Sequence, residues 1–137
     1  MQIGMERGAT RSDVTLIKPD NCVNLETPAS DVRAFVHSTL LNTESAPDGI
    51  LCGGELPAIA AMAGIRDAGL VPGKDVDVFA KQTSAALDHI HPAIDSCYED
   101  INRTGRLLGQ TLLAVINADE TAKEHTHIIE PELRIRT

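Results

Sequence analysis

The stretch Pro47-Asp48-Gly49-Ile50-Leu51-Cys52-Gly53-Gly54-Glu55-Leu56-Pro57 decides how this chain folds. Pro-Asp-Gly makes a turn, because proline presets its own φ and glycine tolerates the reversal. Ile50 to Cys52 is a short continuous apolar run, of the kind that suits a strand covered on both faces in a parallel sheet. Two glycines follow, and Pro57 then opens a helical pattern from Ala58 to Ala68, with Gly69 where the chain leaves it. Ala58, Ala60, Ala61, Ala63 and Gly64 would let that helix approach a neighbour closely. Strand, glycine turn and helix make one unit of an α/β fold.

The same alternation extends in both directions. Downstream, Val71-Pro72-Gly73-Lys74 is a loop, and Val76, Val78 and Phe79 predict a second strand. Residues 80–93 are less regular, with Pro92 breaking any helix, and Ile94 to Tyr98 reads as extended. Asp100 to Ala118 predicts a long helix with Leu107, Leu108, Leu112, Leu113 and Ile116 as its apolar positions, and Gly105 and Gly109 mark close packing. Leu133 and Ile135 alternate with Arg134 and Arg136 as in a strand. Upstream, Thr27 can cap and Pro28 can occupy the first turn of a helix carrying Val32, Phe35, Val36 and Leu40, ending near Asn42. Val14 to Ile17 reads as a further short strand, and Met1 to Gly8 as the tail of a helix. Strand–helix–strand units in succession predict an α/β fold with a mostly parallel sheet flanked by helices.

Composition narrows the function. The 137 residues hold 20 acidic against 12 basic side chains, for a net charge of −8. Nucleic-acid affinity comes mostly from Lys and Arg on phosphates, so this chain is not by itself a DNA-binding module. With one Tyr, two Phe and no Trp, it has no base-stacking platform, and its core must be aliphatic. No run reaches the roughly 18 to 20 apolar residues of a membrane span, and Met1 to Asp20 does not resemble a secretory signal. Cys22, Cys52 and Cys97 are odd in number and widely spaced, which fits reduced thiols in a cytoplasmic protein.

Open α/β sheets bind ligands beyond the carboxyl ends of their strands. Three segments fall there: Gly53-Gly54-Glu55, Ala80-Lys81-Gln82-Thr83 and Tyr98-Glu99-Asp100. For the first, two readings stand. Exposed backbone at a helix start could hold a polar ligand, or Gly-Gly could merely ease a turn while Glu55 favours the helix dipole. Gly53-Gly54 lacks the spacing of a dinucleotide fingerprint. His89 with His91, and His125 with His127, lack the companion ligands of a metal site. Cys97 with a histidine lacks an orienting third group, and Ser84 and Ser96 lack the hydrolase context. No catalytic set, metal site or cofactor is expected.

Taken in order, these segments resemble the LacI/GalR family of bacterial transcription regulators. The run from Pro47 to Glu55, with its Ala-rich helix ending at Asp67-Ala68-Gly69-Leu70, is similar to the family's strand, C-x-N-D turn and helix. Val71-Pro72-Gly73-Lys74-Asp75-Val76 resembles its V-P-G-D-V loop, and Val76-Asp77-Val78-Phe79-Ala80 its V-V-G-F-D-D strand. His91-Pro92-Ala93-Ile94-Asp95-Ser96 resembles its P-P-L-T-T segment, and Glu130-Pro131-Glu132-Leu133-Arg134-Ile135-Arg136 its closing strand. The resemblance spans nearly the whole chain and is strongest from Pro47 to Gly109.

It implies an incomplete lobe of a type I periplasmic-binding-protein-like domain. Residues 1–99 would form part of the second, carboxyl-terminal lobe, and 100–137 a helix and a returning strand packing with the first lobe. The headpiece, the first lobe and the strand between Val14–Ile17 and Ile50–Cys52 would be missing. Such a piece would expose a partner surface and associate as a homodimer. The family's cleft contacts fall on Gly54, Gln82 and Glu99, with Glu55 beside them. Here Gly54 and Glu55 replace the family's Asn and Asp, and Gln82 stands where the family has an aspartate gripping sugar hydroxyls. Gln can donate and accept, but a carboxylate binds hydroxyls more strongly. Lys81 side by side with Gln82 would suit an anionic or amide-bearing effector, but the reading of Lys81 as an exposed structural residue comes first.

The leading expectation is therefore the ligand-sensing and dimerisation part of a regulator, binding a sugar-like effector and touching operator DNA only through an absent headpiece. A solute-binding protein of a transport system is the alternative, and a small α/β enzyme ranks last.

Overall fold

In the computed structural model, residues 29–42, 46–117 and 126–136 are described. The expected strand at Val14–Ile17, the helix tail at Met1–Gly8, the Thr27–Pro28 start, Cys22 and His125 lie outside them. The elements run α1 (Ala29–Leu40), β1 (Gly49–Cys52), α2 (Glu55–Asp67), β2 (Asp77–Gln82), a 3₁₀ turn (Ala86–His89), β3 (Asp95–Tyr98), α3 (Ile101–Ile116) and β4 (Glu132–Arg134). The four strands form one sheet in the order β1-β2-β3-β4. The first three are parallel, and β4 returns antiparallel to β3, with Cys97 opposite Leu133. The fold is α/β with a mostly parallel sheet and three flanking helices.

Local chemistry accounts for the element boundaries. Pro57 sits in the first turn of α2, where its missing amide costs no helical bond. Gly69 ends that helix at φ +79°, a conformation that disfavours a side chain. Asp100 caps α3 by accepting from the Arg103 amide at 2.9 Å.

The core is aliphatic, as composition requires. Val36 and Leu40 of α1 meet Ala58, Ala61, Met62 and Ile65 of α2, over Cys52, Val78 and Ala80 of the sheet, with Val76, Leu87 and Ile94 completing the cluster. Each fully buried large side chain among them contributes roughly 1.5–3 kcal/mol. The small residues of α2 do what their size predicts. A Cβ on Gly64 would lie 2.6 Å from the Arg33 carbonyl oxygen and 3.0 Å from Val36 Cβ, so α1 and α2 touch backbone to backbone there.

Two expectations are corrected. β1 is not covered on both faces by the described residues: Cys52 is buried, but Leu51 is 41% exposed. Its neighbours α1 and α2 supply one layer only. Gly105 and Gly109 do not mark close packing either, since a Cβ at either would meet nothing within 4 Å. The whole of α3 contains no buried residue, and Leu108, Leu112, Leu113 and Ile116 are all exposed.

Candidate functional site

Because β1, β2 and β3 run parallel, their carboxyl ends reach one edge of the sheet. The three segments following them are joined there by hydrogen bonds. The Glu99 amide donates to the Gln82 carbonyl oxygen at 2.8 Å. The Thr83 and Ser84 amides donate to Glu55 Oε1 at 3.0 and 2.7 Å. Ser84 Oγ donates to the same carboxylate, 3.0 Å from each oxygen. The first residue of α2 thus holds the loop after β2, a role that neither sequence reading of Glu55 contained.

Gly54 is the N-cap of α2, with extended backbone that any residue could adopt. A Cβ there would meet only Pro57 Cδ at 3.8 Å, so glycine leaves open space rather than relieving strain. The Glu55 and Leu56 amides, in the first turn beside it, lack intrahelical partners by the geometry of any helix start.

Gln82 is fully buried, and all four hydrogen-bonding valences of its amide are used inside the protein. Nε2 donates to the Ser84 carbonyl at 2.7 Å and to Asp88 Oδ1 at 3.1 Å. Oε1 accepts from Ser96 Oγ at 2.8 Å and from Arg136 Nη2 at 3.0 Å. A carboxylate here would set an acceptor against the Ser84 carbonyl and Asp88, which explains an amide at this position. Asp88 also bonds Arg136, and the Gln82 and Arg136 bonds together hold its carboxyl below the usual range.

Lys81 and Gln82 do not act side by side, and Lys81 fits its reading as an exposed structural residue. Successive strand residues point to opposite faces, so Gln82 turns into the core and Lys81 away from it. Lys81 Nζ instead pairs with Glu99 Oε2 at 2.9 Å, both side chains being more than two-fifths exposed. An exposed pair of this kind is worth at most about 1 kcal/mol, so it opens readily to a competing polar group.

Sequence reasoning missed Ser84, Asp88 and Arg136, which belong to the same network. Strand alternation would have separated Lys81 from Gln82; no local pattern pointed to the others. Cys52 is buried, which pushes its thiol up to about 12, while Cys97 is half-buried. Among the described residues no group of three potential metal ligands comes together, and no helix is long and apolar enough to cross a membrane.

A family model described as a periplasmic binding protein-like domain matches residues 1–137. The chain belongs to that family. Among solved structures, this periplasmic-binding-protein-like chain is similar to a regulatory protein of the LacI family from Chloroflexus aggregans. The identity is 26% over 97% of this chain and 47% of the other, with a TM-score of 0.80. The lac repressor dimer bound to operator and the anti-inducer ONPF shares the fold at 19% identity, over 98% of this chain and 45% of the other, with a TM-score of 0.79. A LacI family transcriptional regulator from Arthrobacter sp. FB24, in complex with lactose, shares it at 19% identity, over 81% of this chain and 42% of the other, with a TM-score of 0.68. The chain spans less than half the length of these neighbours. None of the curated proteins matches this sequence.

Proposed function

We propose that this chain is the ligand-sensing and dimerising part of a LacI-type transcription regulator, working in the cytoplasm without catalysis or cofactor. A small sugar or sugar derivative settles on the carboxyl rim. The Gly54 turn and Glu99 face it, while Glu55 and Gln82 hold the loop it meets. Effector binding biases the closure of two lobes, and closure changes the affinity for operator DNA. DNA is contacted through a headpiece outside this chain, in keeping with a net charge of −8. The helix α3 packs with the other lobe, which would cover its apolar face, while β4 stays paired with β3.

One observation carries this reading: three loops converge on one edge of the parallel sheet and are bonded to one another there. The lactose complex of one neighbour and the operator complex of another lend it support.

A second copy docks in the groove between α1 and α2, about 500 Å³ in volume. Leu56 and Ile59 are exposed there, and its two full charges, Arg33 and Asp67, neutralise each other. Copies of a strongly acidic chain meet with least repulsion across such a neutral apolar patch.

The test is calorimetric titration of the full-length protein with mono- and disaccharides, read alongside operator binding. Glu99→Ala should lower the affinity for the bound saccharide about tenfold and leave operator affinity without saccharide unchanged. Operator binding that no saccharide alters would overturn the proposal. Ile59→Asp should turn a dimer into a monomer by light scattering.

A further inference from the structure

Arg136 follows β4, 54 positions beyond Gln82, yet its side chain is only 18% exposed and lies in the rim network. Its amide donates to Asp95 Oδ1 at 2.8 Å, which fixes the backbone against β3. Its guanidinium donates from Nη1 to the Leu87 carbonyl at 3.0 Å, and from Nη2 to Gln82 Oε1 at 3.0 Å and to Asp88. The three acceptors belong to the end of β2 and to the 3₁₀ turn. Arg134 of β4 adds only a longer ion pair to the same turn, Nη1 to Asp88 Oδ1 at 3.9 Å. The planar fork of arginine suits this task, because one rigid group reaches acceptors lying in different directions.

We propose that Arg136 is a positioning residue of the rim: from beside the amino end of β3 its side chain pins the back of the segment 83–90, which leaves the carboxyl end of β2, so that a ligand meets an ordered loop. Glu55 holds the front of that segment at Thr83 and Ser84; Arg136 holds its back at Leu87 and Asp88. Gln82 is shared by both ends, bonding the Ser84 carbonyl on one side and Arg136 on the other. Removing the guanidinium leaves Gln82 Oε1 with Ser96 alone and the Leu87 carbonyl without this donor. The hydrogen bonds lost all end on Gln82 at the close of β2 and on the 3₁₀ turn, and none on α2.

The proposal rests on the rim reading for its purpose, but its test needs no ligand, so the two can fail separately. Amide hydrogen exchange is followed in the full-length protein and in Arg136→Ala, Arg136→Lys and Asp88→Asn. Arg136→Ala should speed exchange across 84–90 about tenfold or more, with Val78 to Ala80 and α2 unchanged. Arg136→Lys should recover only part of the protection, because one ammonium cannot serve all three acceptors. Asp88→Asn, which keeps the fold's packing intact, should loosen the same segment to a smaller degree, and it decides the matter if Arg136→Ala does not fold. Unchanged exchange in 84–90, or a rise shared equally by β2 and α2, would overturn the proposal.

Discussion

The layer formed by α1 and α2 and the helix α3 carry the same kind of sequence signal and meet different fates. Both are rich in Leu, Ile, Val or Ala, and α3 is the more strongly amphipathic. In the first, Val36, Leu40, Ala58, Ala61, Met62 and Ile65 are buried against one another and the sheet. In α3 no residue is buried, and Ile101, Leu108, Leu112, Leu113 and Ile116 remain exposed. Periodicity specifies which face of a helix seeks cover, and only a partner decides whether it finds it. Three glycines repeat the contrast: Gly64 admits no Cβ, whereas Gly105 and Gly109 lie in open space.

Large-to-small substitutions should draw this line most sharply. Ile65→Ala should destabilise the protein by about 2–5 kcal/mol in denaturant unfolding, because it opens a cavity in a filled layer. Leu112→Ala in the same 137-residue chain should change stability by less than about 0.5 kcal/mol. Equal losses would mean that α3 is packed after all.

The glycines offer a smaller version with opposite signs. Gly64→Ala should cost about 1–3 kcal/mol, as α1 must move off the Arg33 carbonyl and Val36. Gly105→Ala should gain about 0.5–1 kcal/mol from helix propensity, since nothing obstructs the added methyl group. Thermal melts of the two variants should therefore move apart from the parent in opposite directions.

The smallest effect concerns acid. Asp88 and Asp67 are held below the ordinary carboxyl range, Asp88 by Gln82 and Arg136 and Asp67 by Arg33. A carboxyl depressed by folding contributes stability that is present above its unfolded pKa, near about 3.9, and that is lost as the pH falls through its folded value. Melting temperatures should accordingly drop below about pH 4, and Asp88→Asn should soften that drop. An identical acid profile in the variant would remove Asp88 from the account.

Much of the fold could be read from local pattern. The turn at Pro47–Gly49 and the run at Ile50–Cys52 fall where the sequence put them, and the helix expected from Ala58 to Ala68 spans Glu55–Asp67, because each is set by residues within a few positions. The second strand runs on to Gln82, two residues past its last apolar member. Its pairing with β3 decides that extension, and Lys81 and Gln82 look like loop residues in isolation. The convergence of the three rim segments was legible from parallel strand order. The bonds that lock them were not, because Glu55 and Ser84 lie 29 positions apart, and Arg136 and Gln82 lie 54 apart. No periodicity links residues at such distances.

The late return of β4 has a consequence for synthesis. A nascent or prematurely ended chain that stops before residue 132 leaves β3 as a bare margin, with its outward amides and carbonyls ready to zip onto any stray extended segment. β4 thus acts as a guard on that margin, and a chain lacking it would present β3 for pairing with another strand.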